Sequence, residues 1–238
     1  YPPNLKWKGI IPFAGKFKKY FPDIPIVLTN DAKAAALGEM FYGGAIEMKN
    51  FVVITLGTGL GSAFVIDGQL VYGHDGLAGE LGHVNVKPNG RNCRCGNKGC
   101  LETYVSATGI KRTFFHLLKL KSGKSNLRNL SFRELTPEMI FNEAKKDDVL
   151  AQEAFSITGE ILGRKLADAV AITNPQAIFI MGGLAQAGKL IFDPAKQSME
   201  KSLFPIYRGK VKLLPSKLKG RNTAILGAGA LAWREHRF

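Results

Sequence analysis

Cys93, Cys95 and Cys100 are all the cysteines the chain has, and they fall within eight residues of one another, with His83 a short way upstream. Three thiolates and one imidazole complete a tetrahedral zinc set and leave no position for water. Such a closed site is structural: the metal would hold a loop rather than take part in a reaction. Glu80 and Glu102 flank the run and are not needed as ligands. They read as groups that a metal-pinned loop would hold in place. A disulfide with one cysteine left over is the first alternative, but Cys93 and Cys95 are badly spaced for a bridge and the count is odd. Burial as inert thiols is the second, and it suits poorly a loop built from Asn89-Gly90-Arg91-Asn92 and Gly96-Asn97-Lys98-Gly99.

Two further places carry chemistry. Asn30-Asp31 follows the apolar run Ile26-Val27-Leu28-Thr29, which reads as a short buried strand, and precedes Ala32 to Met40, a strongly helix-forming stretch. Asp31 at that junction is either an N-cap or a carboxylate displayed at the end of a strand, where α/β folds place their chemistry. Gly57-Thr58-Gly59-Leu60-Gly61-Ser62 is a glycine turn between the strand 51–56 and the strand Ala63–Ile66. Rossmann and P-loop sites need such glycines to open a helix, so both readings fail. A turn between two strands can still cradle phosphate through its backbone amides, or it can be a plain hairpin turn.

The elements that must position these residues follow from pattern. Asp67-Gly68 turns the second strand into a third at 69–72, which makes an antiparallel hairpin set. Leu101 to Leu118 reads as a helix, and 119–136, basic and serine-rich, as a loop or insertion. Pro137 opens a helix to about 146, and a long apolar-faced helix runs from Leu150 to Ile172, where Asn174-Pro175 stops it. Ile178–Met181 reads as a buried strand ended by Gly182-Gly183. A helix over 190–203, a strand near 210–214 and a small-residue helix from Thr223 to Glu235 close the chain. This is an α/β pattern.

Composition sets the surroundings. The 238 residues, 45% hydrophobic and 22% charged, are those of an ordinary globular chain with one large domain or two modest ones. No apolar run approaches the ~20 residues of a membrane span. Thiols clustered for metal and a polar, proline-rich opening suit the cytoplasm, without a secretory leader. The net charge of +14 is large, but it is spread over stretches at Lys16–Lys19, Lys111–Lys146 and Lys196–Lys219. No helix-turn-helix or RNA-binding aromatic motif goes with it. Nucleic acid is therefore the less favoured partner and anionic small molecules the better one.

Taken together, Leu28-Thr29-Asn30-Asp31-Ala32, Gly57-Thr58-Gly59-Leu60-Gly61, Gly79-Glu80-Leu81-Gly82-His83, the cysteine run through Leu101-Glu102 and the late Met181-Gly182-Gly183 resemble the ROK family of repressors, open reading frames and sugar kinases. The resemblance implies an actin-like ATPase (ribonuclease H-like) α/β fold of two domains with a structural zinc loop. It implies a sugar kinase using ATP with Mg2+ on a hexose, glucose at its 6-hydroxyl being the default. N-acetylmannosamine, N-acetylglucosamine, fructose and allose stay open. In this reading Asp31 is the general base and Asn30 holds a sugar hydroxyl. Glu80, His83 and Glu102 line the sugar site. Thr58 and Gly59 face the phosphates, and Gly182 and Gly183 the adenosine. Zn2+ sits on His83, Cys93, Cys95 and Cys100. One nitrogen of His83 would bind zinc and the other would reach the sugar. A homodimer is the expected assembly.

The family's Asp-x-Gly-Gly-Thr phosphate motif does not occur in this chain. The resemblance then implies an incomplete first domain over residues 1–48, a second over 49–222 and a returning helix over 223–238, with impaired turnover and an exposed strand edge at 26–29. Two rivals remain: a sugar-sensing repressor without its DNA-binding region, and a zinc-ribbon interaction module. Asp31 and the glycine turn favour the kinase. The charge leans toward the repressor, and the zinc module leaves Asn30-Asp31 without a purpose.

Overall fold

The computed structural model describes residue 9, residues 11–218 and residues 223–235. Expectations for residues 1–8, 10, 219–222 and 236–238 lie outside the described residues. The strands are β1 (Phe51–Leu56), β2 (Leu60–Ile66), β3 (Gln69–Leu70), β4 (Ala177–Met181) and β5 (Lys212–Pro215). The helices are α1 (Phe13–Lys18), α2 (Asp31–Tyr42), α3 (Ala107–Leu120), α4 (Pro137–Ala144), α5 (Val149–Thr173), α6 (Lys189–Ser202) and α7 (Thr223–Glu235).

The five strands form one mixed sheet in the order β3-β2-β1-β4-β5. β1, β2 and β3 are the antiparallel set expected from the turns at Gly57–Gly61 and Asp67-Gly68, while β4 and β5 lie parallel to β1. The central strands are apolar throughout because both faces are covered. Val52, Ile54, Leu56, Ile178 and Ile180 point into a core shared with α3, α5 and α6. Phe51, Val53, Phe179 and Met181 point the other way, onto α2 and α7, with Phe51 and Phe179 meeting edge to face. The alternation is that of any pleated strand, here with two apolar sides.

Local chemistry sets the helix ends. Ser106, Thr136 and Asp148 cap α3, α4 and α5, each accepting a hydrogen bond from a first-turn amide. Pro137 opens α4 as expected. Asn174, in the left-handed region at φ 42°, ends α5. α5 and α6 approach closely at Gly159 and Gly163, where an added Cβ would meet Pro194 and the Ala195 carbonyl. No helix among the described residues is long and apolar enough to cross a membrane.

Three expectations need correction. The strand at 26–29 does not form: no described strand runs beside it, so its backbone has no ladder, and Val27 and Leu28 stand exposed. An apolar run becomes a strand only when a neighbour supplies its hydrogen bonds. The helix expected from Leu101 instead begins at Ala107. Leu101–Thr103 forms a separate 3-10 turn, and Ser106 interrupts by donating to the Glu102 carbonyl while capping α3. Strand 69–72 shortens to two residues, since Val71 keeps only one bond back to Phe64.

Candidate active site

β1 and β4 run side by side, and their carboxyl ends open into a cleft with the start of α2 on one wall. This is where an α/β sheet displays chemistry. Among the residues lining the cleft are Asn30, Asp31, Thr58, Gly59, Glu80 and His83, together with Glu102, Gly182 and Gly183. Every expected substrate and nucleotide residue therefore faces one space, although they come from five separate stretches of chain.

At the start of α2 the two polar residues divide the work differently from the sequence reading. Asn30 is the N-cap, its Oδ1 accepting from the Ala32 and Lys33 amides at 2.7 and 3.3 Å. That leaves its amide nitrogen to donate elsewhere. Asp31 is the first helical residue, with Oδ1 2.8 Å from the Ala32 amide. It is exposed, so its carboxylate is displayed rather than used up as a cap.

The glycine turn packs against both walls. Gly57 donates to the Gly59 carbonyl and accepts from Ala107. Among the described residues the Thr58 and Gly59 amides have no acceptor, so they remain available to an anion. At Gly59 an added Cβ would run into a Glu102 carboxylate oxygen. That oxygen in turn accepts from the Leu60 amide at 3.2 Å. At Gly61 a Cβ would crowd the Thr55 hydroxyl and the Ala32 methyl, so β2 can approach α2 there only without a side chain of its own. Gly182, at φ 97°, turns the chain over the Leu56 carbonyl, where a Cβ would lie 2.4 Å from the oxygen.

The zinc-ligand candidates come together. One ligand atom from each of His83, Cys93, Cys95 and Cys100 lies within 4.8 Å of every other. Cys95 Sγ and Cys100 Sγ are 3.7 Å apart, and Cys93 Sγ is 3.8 Å from His83 Nδ1. A tetrahedron with Zn–S bonds of about 2.3 Å has edges of about 3.8 Å, so the set fits zinc. The thiols affect one another's protonation. Burial, then hydrogen bonds from Cys95 and Cys93, pushes the Cys100 thiol up to about 12. Burial also raises Cys93. At Cys95 burial raises as well, but hydrogen bonds from the Asn97 backbone, Cys93 and Cys100 outweigh it and the net shift is down. Zinc bound there would neutralise the thiolates and pin the loop.

A second fastening lies on the far side of that loop. The Arg91 guanidinium donates to the carbonyls of Thr103 and Gly109 at 2.9 and 3.0 Å and to Thr113 Oγ1 at 3.0 Å, and it stacks on the Tyr104 ring. The Tyr104 hydroxyl accepts from the Arg91 amide. Burial holds the Arg91 guanidinium below its usual range. Glu102 is thereby fixed between the cysteine loop, Arg91's contact at Thr103 and the glycine turn. Glu80 is held by its neighbours, since Ser62 Oγ donates to Gly79 O and accepts from the Leu81 amide at 3.0 Å.

Lys33, Tyr72, Leu77, Gln186, Lys189 and Ser216 also line the cleft, and the sequence reading did not single them out. Lys33 stands two residues after Asp31, so proximity to that motif was a usable signal. Leu77, two residues before Gly79, and Gln186, three after Gly183, carried the same signal, whereas Tyr72, Lys189 and Ser216 reach the cleft through tertiary packing.

Residues 1–235 match the ROK family. The glucokinase of Halalkalibacterium halodurans is 34% identical over 230 residues, covering 96% of this chain and 69% of that protein. The xylose repressor of Bacillus subtilis is 28% identical over 231 residues, covering 97% of this chain and 56% of that protein. Among solved structures, the ROK family glucokinase from Streptomyces griseus in complex with glucose and AMPPNP superimposes with a TM-score of 0.83 at 31% identity, covering 98% of this chain and 76% of that one.

Proposed function

The chain belongs to the ROK family, and from that premise we propose that it acts as a sugar kinase. The reaction is transfer of the γ-phosphoryl group of ATP to a hexose, with the 6-hydroxyl of glucose as the first candidate. What supports this reading above all is that one cleft collects Asp31, the Thr58-Gly59 turn, Glu102 and His83. Phosphoryl transfer asks a protein mainly for positioning and charge stabilisation. Asp31 supplies a carboxylate to accept the hydroxyl proton. Asn30 donates through its free amide, while Glu80 and Glu102 accept from sugar hydroxyls that would otherwise be dehydrated without partners. His83 turns Nδ1 toward the cysteines, which leaves Nε2 for the sugar. The Thr58 and Gly59 amides receive phosphate oxygens, and Gly182-Gly183 bounds the adenosine side. Mg2+ enters with ATP, held largely by its phosphates.

The same proposal includes the cytoplasm as setting, a homodimer as assembly and the division into 1–48, 49–222 and 223–238. A second reading, a sugar-responsive repressor, is favoured by the similarity to the xylose repressor. One experiment separates the two. Hexose binding is measured by calorimetry, and ATP-dependent phosphorylation by a coupled assay over glucose, fructose, allose, N-acetylglucosamine and N-acetylmannosamine. The chain and the full reading frame that encodes it are assayed side by side, with and without Asp31→Asn. A kinase phosphorylates at least one sugar, and Asp31→Asn lowers turnover about a hundredfold or more while sugar affinity changes little. Sugar binding without phosphorylation in either polypeptide selects the repressor, and absence of both overturns the sugar reading.

A further inference from the structure

We propose that Lys33 is a positioning residue that latches the 72–78 loop over the sugar side of the cleft, a role whose substrate, though not its geometry, rests on the sugar-kinase reading above. Lys33 lies on α2 among Ala32, Ala34, Ala35 and Ala36 and is only 5% exposed. Lysines are rarely buried unless paired, because an ammonium taken from water must recover its hydrogen bonds. Among the described residues Lys33 has no carboxylate partner. Its Nζ instead donates to the Gly76 carbonyl at 2.5 Å and sits 5.0 Å from the centre of the Tyr72 ring. Both partners belong to one loop, far from Lys33 in sequence. An ammonium has three protons. The carbonyl takes one and the ring face screens part of the charge, so donor capacity remains on the side facing the cleft that Lys33 lines.

The loop depends on this contact for its position. Its neck is closed by the Ala78 amide donating to the Tyr72 carbonyl at 2.9 Å. Beyond the neck, Gly73 and Gly76 have positive φ, and His74, Asp75 and Leu77 are exposed. With so little burial of its own, the tip is placed by the lysine reaching across from α2. The other end of the segment is anchored by Ser62 at Gly79 and Leu81, directly beside Glu80. Lys33 and Ser62 together span the stretch that brings Leu77 and Glu80 to the cleft.

The test uses Lys33→Met, which keeps the stem and removes the ammonium, and Tyr72→Leu, which removes the ring at a half-exposed site. Amide hydrogen exchange at Ala78, whose bond to the Tyr72 carbonyl closes the neck of the loop, is measured without sugar. Hexose and ATP kinetics follow on whichever polypeptide is active. Both variants should speed exchange in this loop, Lys33→Met by about tenfold, as expected for losing a hydrogen bond to a charged group. The KM for hexose should rise about tenfold while kcat and the KM for ATP stay within about twofold. Lys33→Arg should recover part of the protection. Unchanged exchange in both variants overturns the latch, as does faster exchange with an unchanged hexose KM. If Lys33→Met fails to fold, Tyr72→Leu carries the same readouts. Faster exchange in a protein that binds no hexose leaves the latch standing and overturns the sugar-kinase reading alone.

Discussion

Replacing Gly227 by alanine tests the seam that seats α2, the helix that begins with Asp31. α7 crosses α2 with no side chain at the contact: a Cβ on Gly227 would lie 1.5 Å from the Ala34 carbonyl oxygen and 2.3 Å from its carbon. Real Cβ atoms essentially never come closer than 3.0 Å, so the helices must part by about 1.5 Å at that point. The obstacle is backbone, and no rotamer relieves it. Overpacking costs about 3 kcal/mol in such a case, and alanine returns about 1 kcal/mol through helix propensity. The net loss is then about 2 kcal/mol, or a fall in Tm of roughly 4–8 °C for a chain of this size. Gly229, two residues along the same helix, is the control, because a Cβ there meets nothing within 4 Å. Gly229→Ala should gain about 0.5–1 kcal/mol and raise Tm by a few degrees. Thermal unfolding followed by circular dichroism reads both variants. Since α2 begins with Asp31, Gly227→Ala should also weaken hexose binding several-fold, whereas Gly229→Ala should not. A Gly227→Ala protein as stable as the parent would refute the close-packed seam.

Two predictions concern the loop that carries Glu102. Cys95→Ala should lower bound zinc from about one per chain to near zero by metal analysis and weaken hexose binding through disorder of the loop; retained metal, or unchanged sugar affinity without it, breaks the link. Arg91→Met strands the Thr103 carbonyl, while the Gly109 carbonyl keeps the Thr113 hydroxyl as donor, and should cost about 1–3 kcal/mol in urea unfolding, with zinc content unchanged; a loss under about 0.5 kcal/mol would show that water replaces the guanidinium.

Much of the site was legible because its signals are local. The zinc set is a matter of residue type and spacing, and cysteines this close together can meet without knowledge of the rest of the fold. The hairpin turns at Gly57–Gly61 and Asp67-Gly68, the opening of α4 at Pro137, the stop of α5 at Asn174, and the apolar runs of β1 and β4 are likewise written in short stretches. What stayed hidden needed a partner from elsewhere in the chain. Residues 26–29 have the composition of a strand, but a strand exists only beside another, and none of the described strands is there. Asn30 and Asp31 are equivalent as capping residues in sequence, and only the observed start of α2 assigns the cap to Asn30 and leaves Asp31 exposed at the first helical position, with Oδ1 on the Ala32 amide. Gly59 reads as a phosphate-loop glycine, yet the fold has its own reason for it, because Glu102, next to the cysteine cluster, fills the space a Cβ would take. Lys33 reads as one more cation in a basic chain, and its burial against Gly76 and Tyr72 appears only once α2 lies across β2. Spacing and residue type settled which groups this chain has for chemistry, because those depend on neighbours in sequence. Tertiary packing settled where they point, because each is held by backbone and side chains dozens of residues away.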